Sequence, residues 1–308
     1  MNRNLLLPGR FFLLLFVMLG FILTGCNRGP KSEGDGSGEF EASGTIDAET
    51  QEQLNTAKRI FYSLPSPLET AMLIKNAGAE YNEDLMNPTA NTSRYITAKS
   101  KALNLGIYST DLSYASLFDQ NQATLNYIEA AKKMADGLNI LNAIDEETIT
   151  RLEEQINNRD AIIDIISETL MNSSSFLKEN DLEGTASVIL VGGWIEGLYI
   201  ATNLVDENDL EGSKLVERIV DQKLSLDIMV SLLESSPEDP DAQAVLADVK
   251  TLKTIFDKIT IDQGEVTAVE DPETNVTTLK SESSIEITPE VFIELKTKVI
   301  EIRSSYIS

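Results

Sequence analysis

From Ile46 onward, apolar residues recur at three- and four-residue steps, and most of the chain reads as a series of amphipathic helices. The spacing predicts a first helix over 47–62, with Leu54, Ala57, Ile60 and Phe61 facing inward. Ser66-Pro67-Leu68-Glu69 is a helix start: Ser as cap, Pro at the first position, Glu three residues after the cap. That helix carries Ala71, Met72 and Ile74 toward Gly78 and continues to Leu85, where Asn87-Pro88 stops it. Residues 92–119 form a long helix that is apolar or small nearly all round, the pattern of a helix central in a bundle. Another spans 122–137. Asp145 to Asn172 reads as one long helix with Ile149, Leu152, Ile156, Ile163, Ile166 and Leu170 on one stripe.

Residues 184–205 hold a single charge, Glu196, and are just long enough to cross a bilayer. Gly192, Gly193 and Gly197 favour a buried core helix that a neighbour approaches closely. Helices at 209–234 and 240–259 follow, separated by Ser235-Ser236-Pro237-Glu238-Asp239-Pro240. Then the period changes to two: 265–269 and 275–279 flank Asp271-Pro272-Glu273 as a short hairpin. Thr288-Pro289-Glu290 opens a last helix to about Ser305. The six residues Glu179–Gly184 recur at Glu207–Gly212, each copy ahead of a helix, without a third copy that would make a repeat array. The expected fold is all-α: an antiparallel bundle of about eight or nine helices in residues 46–308, with a small hairpin before the last. A sub-boundary near 140–145 is possible.

The N-terminus follows a different rule. Arg3 and Arg10 precede twelve apolar residues, Phe11–Ile22, and Leu23-Thr24-Gly25-Cys26 closes the segment with the one cysteine of the chain. A basic start, a short apolar core and small residues make a secretory signal peptide. Leu-Thr-Gly-Cys resembles the lipobox of bacterial lipoproteins, and the resemblance covers residues 1–26. It implies that residues 1–25 are removed and that Cys26 becomes a lipidated first residue. Asn27 in place of Asp implies the outer membrane over inner-membrane retention. Two or three acyl chains, at about 0.8 kcal/mol per buried CH₂, suffice for stable anchoring. Residues 26–45, rich in Gly, Ser and Glu, form a tether with a reach of roughly 25 Å.

Composition narrows the chemistry. Residues 1–25 contain two arginines and no acid, so the remainder carries 23 basic against 50 acidic residues, a net charge of −27. That excess argues against binding nucleic acid or anionic lipid. The chain has no histidine. This removes Ser-His-Asp and Cys-His mechanisms, most zinc sites and His-ligated haem, and no metal or other cofactor is expected. Stability is expected to vary little between pH 6 and 8 unless a carboxylate or lysine is strongly perturbed. Asp206–Gly212 looks calcium-like but places Leu210 and Glu211 where an EF-hand needs Asp/Asn and Gly, so a helix cap is the better account.

Six of the eight tyrosines fall within residues 62–127, in a stretch dense with Asn and Gln. Tyrosine and amide side chains together stack on and hydrogen-bond a neutral ligand, or line a polar core in which each hydroxyl has a partner. Tyr81, Tyr95, Asn104, Tyr108, Asp111 and Tyr114 are the candidate ligand or partner groove. Lys101 and Asp111 project about 80° apart on one helix. Each therefore needs a partner from a neighbour, and a structural ion pair is expected over a catalytic role. The functional expectation is a non-enzymatic envelope lipoprotein, a binding or scaffold component of an outer-membrane assembly. It would be held by its lipid, with a protein or glycan partner. The alternative is a carboxylate-based hydrolase acting on a glycan or peptide.

Overall fold

A computed structural model describes residues 67–308, apart from 141–145, 159, 163, 167, 170–175, 178, 179, 181, 208, 209, 264–266, 272–275, 281 and 282. Cys26, the tether, the helix expected over 47–62 and positions 141–145 of the possible sub-boundary lie outside the described residues. The fold is an all-α bundle. Its helices are α1 (Pro67–Asn76), α2 (Ala98–Leu117), α3 (Asn121–Gly137), α4 (Glu146–Glu154), α5 (Glu183–Leu204), α6 (Lys214–Glu234), α7 (Pro240–Phe256) and α8 (Pro289–Tyr306). Further helical residues lie between 160 and 177, beyond a turn at 155–157 that interrupts the single long helix expected there.

Three helix ends share one geometry. After α1, α2 and α3, the second residue past the helix has positive φ: Gly78 (85°), Asp119 (58°) and Asn139 (58°). The following amide in each case bonds back across the last turn, Ala79 to Ile74, Gln120 to Ala115 and Ile140 to Ala135. These are Schellman closures, and Asp and Asn are the non-glycine residues best able to enter that region. Helix starts are side-chain capped by Thr97, Ser213, Asp239 and Thr288. Thr97 and Ser100 form a reciprocal capping box, which starts α2 six residues later than the hydrophobic pattern indicated. Likewise Ser213 caps α6, so that helix begins after the second copy of the six-residue repeat, whose Glu211 and Gly212 lie in a turn with Gly212 at φ 74°.

Residues 77–97 are the larger departure from expectation. Rather than continuing α1 to Leu85, the chain leaves the helix at Gly78. It then runs as irregular backbone with short 3₁₀ turns at Glu83–Leu85 and Thr89–Arg94.

Two helices form the centre. Helix α2 is buried almost continuously from Ala102 to Leu117, and α5 from Val188 to Thr202 on nearly every face. They pack against one another more extensively than any other pair among the described elements. The contact is close because it is made by backbone: a Cβ at Gly106 would collide with the Ile189 carbonyl, and one at Gly192 with the Leu103 carbonyl. Thr110 Oγ1 adds a 3.0 Å hydrogen bond to the Gly193 carbonyl. Thus α5, long and apolar enough to cross a membrane, is instead enclosed by α1, α2, α6, α7 and α8.

Before α8 the chain forms antiparallel strands. β2 (Thr267–Asp271) pairs with β3 (Val276–Lys280), the expected hairpin displaced by about two residues in its first strand. β1 (Thr260–Gln263) pairs with β4 (Ser283–Glu286) in a second two-stranded sheet that the alternating pattern did not show.

Candidate functional site

The six candidate residues lie on or beside α2, and the structure places them inside the protein. Asn104, Tyr108, Asp111 and Tyr114 are each 0% exposed, Tyr95 is 3% exposed, and Tyr81 is half-buried. Of the two arrangements open from the sequence, a ligand groove or a polar core with partnered hydroxyls, these side chains take the second and face the irregular segment 77–97 and the end of α8. The physical reason is backbone accounting: non-helical chain buried in a core leaves N–H and C=O groups that need partners.

Three tyrosines supply them. Tyr114 OH donates to the Glu80 carbonyl (3.2 Å) and accepts from the Asn82 N–H (3.0 Å). Tyr108 OH donates to the Pro88 carbonyl (3.1 Å), and Tyr127 OH, from α3, to the Asn87 carbonyl (3.2 Å). Asn87 is the hub. Its backbone N–H donates to Asp111 Oδ2, and its side-chain amide donates to Tyr95 OH and to Asn104 Oδ1, all at 3.0 Å. Asn104 in turn donates to the Tyr306 carbonyl (2.9 Å), and Tyr95 OH lies 3.4 Å from the Ile307 carbonyl. Those carbonyls belong to the last turn of α8, where intrahelical partners run out. Tyr81 stacks on Tyr114 with ring centroids 5.3 Å apart, its hydroxyl near Met86 Sδ. Burial raises the pKa of Tyr81, Tyr95, Tyr108, Tyr114 and Tyr127 above the ordinary phenol value, which keeps all five as neutral donors.

Beside this cluster lies a group of buried charges. Glu196 of α5 is 0% exposed and receives a two-pronged grip from Arg303 of α8, Nε to Oε2 at 3.0 Å and Nη2 to Oε1 at 2.9 Å. Arg303 also donates to the Leu85 carbonyl (3.1 Å), with its guanidinium over the Tyr199 ring at 4.3 Å. Burial works against the Arg303 charge, but its bonds to Glu196 outweigh that and raise its pKa above the ordinary value. Asp111 is pushed well above the usual carboxylate range, first by burial and then by the neighbouring Glu196. Burial raises Glu196 as well, and Arg303 offsets part of the rise.

The ion pairs expected for Lys101 and Asp111 take another form. Lys101 donates to the Gly137 carbonyl (3.0 Å) at the end of α3, where the helix dipole favours a cation. Asp111 accepts from a backbone amide and faces a second carboxyl. Sequence reasoning gave Glu196 no partner and did not single out Arg303. A signal was present: on α8 the buried stripe runs Phe292, Leu295, Val299, Ile302, Tyr306, and Arg303 sits beside it where an apolar residue is due.

Open space lies elsewhere. A depression of about 380 Å³ is lined by Ala77–Ala79, Leu204–Asp206 and Glu211–Leu215, and a smaller polar one of about 140 Å³ by Ser116, Asp119, Asn121, Ile156 and Asn157. No group of three or more acidic or cysteine side chains able to hold a metal ion occurs among the described residues. Comparison with protein-family models, with curated proteins and with solved structures returns no match.

Proposed function

We propose that this chain is an exported, lipid-anchored component of the cell envelope, with the outer membrane favoured, that acts by binding or scaffolding rather than by catalysis. The observation that carries the anchor is Leu23-Thr24-Gly25-Cys26 behind a basic and apolar leader. A non-catalytic role is supported by the pair of carboxyl groups that converge in the core among the described residues. Asp111 and Glu196 are both fully enclosed, and catalysis by such a pair needs an opening that admits substrate and water. Tyr95, Tyr108 and Tyr114, which would serve a hydrolase or a ligand groove, already hold backbone groups of the protein itself. A protein or glycan partner would therefore meet the outer, strongly acidic surface. No specific observation favours the hydrolase.

Cys26→Ser tests the anchor. The variant is expected to lose incorporation of labelled fatty acid and to leave the membrane fraction. Undiminished labelling and retention would overturn the reading. Cross-linking and pull-down from intact cells, read against surface proteolysis, then identifies the partner and the side of the membrane on which it is met.

A further inference from the structure

The group Asp111, Glu196 and Arg303 brings two carboxyls and one guanidinium into a core that water does not reach. The guanidinium directs Nε and Nη2 to Glu196 and Nη2 also to the Leu85 carbonyl, and among the described residues Asp111 has no salt bridge. One of its oxygens, Oδ2, accepts the Asn87 N–H; the other, Oδ1, is buried with no donor to receive. A carboxylate in that position would leave a desolvated negative charge beside another, which is strongly unfavourable. A carboxylic acid removes both problems, because its O–H donates to the Glu196 carboxylate within reach beside it. Among the described residues the remaining titratable neighbours are Tyr81, Tyr108 and Tyr127, all neutral phenols, and none of these supplies a positive charge in place of the proton.

We infer that Asp111 and Glu196 form a proton-binding site in which Asp111 holds the proton and donates it to Glu196, and that this proton latches α8 and the 77–97 segment to α2 and α5. The ligand is a single proton, taken up on folding. Its loss puts two buried negative charges on one guanidinium, and relief comes by opening the contacts that Arg303 and Asn87 make. The direction of the pH effect follows. The folded state holds a proton that the unfolded chain releases at the ordinary aspartate value, so the contribution is complete below that value. It is lost as pH rises toward the raised value of the folded state. The device is thus sensitive to alkali.

The test compares the full-length protein with Asp111→Asn, whose amide keeps a donor toward Glu196 and an acceptor for Asn87 without carrying a removable proton. Denaturant unfolding is followed from pH 5 to 9. The folding equilibrium constant of the native protein is expected to fall relative to Asp111→Asn, by up to about tenfold per pH unit. Parallel profiles for the two proteins over that range would overturn the inference. Infrared spectroscopy of the native protein at pH 7, with aspartate carboxyls isotopically labelled, gives a reading that holds even if the variant fails to fold. A carbonyl band of a protonated, labelled acid in the folded state, absent on unfolding, is the expected result; labelled carboxylate bands alone would contradict it.

Discussion

Helix α2 is buried on two sides by opposite means. Toward α5 it presents Gly106 and meets Gly192 and Gly193, so that backbone lies against backbone, with Thr110 bonded to the Gly193 carbonyl. Toward the 77–97 segment it presents Asn104, Tyr108, Asp111 and Tyr114, long polar side chains that reach across and hold carbonyls and amides. The partner explains the difference. A helix has satisfied its own backbone and asks only for close packing, whereas irregular chain brings unpaired polar groups into the core. One side is sensitive to added volume and the other to lost hydrogen bonds, and substitutions separate them.

The largest effect is expected from cutting the charged link between the two sides. Arg303→Met leaves Glu196 buried and unpaired and should lower the unfolding free energy by about 3–5 kcal/mol, measured by denaturant titration. Adding Glu196→Leu to it should recover most of the loss, since no unpaired charge then remains. Next is the glycine seam: Gly192→Val forces a side chain into the Leu103 carbonyl and should cost about 3 kcal/mol, despite better helix propensity than glycine. The smallest effect is on the polar side. Tyr108→Phe removes one hydroxyl and strands the Pro88 carbonyl, for about 1–3 kcal/mol by the same titration. A loss from Tyr108→Phe as large as that from Gly192→Val would erase the distinction.

These two sides were not equally legible in the sequence. Helices α3, α5 and α8 emerged within a residue or two, α8 from its capping Thr288-Pro289 and α3 and α5 from their apolar runs alone, since neither has a side-chain cap; the glycines of α5 announced close packing. The run 77–97 misled, because Leu85 and Met86 sit at a helical spacing from Ile74 while Gly78 breaks the helix at once. That break also decided the fate of the tyrosines. Their enrichment was visible, but whether they face a ligand or a buried loop depends on where the loop lies, which no local pattern encodes. Glu196 was visible as a lone charge but its partner was not; Arg303 is more than a hundred residues away, and only the packing of α8 on α5 brings them together.

The central claim is that the tyrosine and asparagine cluster fastens the protein's own irregular segment. Amide hydrogen exchange, resolved along the chain and compared between Tyr108→Phe and Gly192→Val, tests it most directly. The account predicts that Tyr108→Phe speeds exchange selectively within residues 82–95, while Gly192→Val speeds it across α2 and α5. Indistinguishable exchange patterns in the two variants, or unchanged protection of 82–95 in Tyr108→Phe, would contradict it.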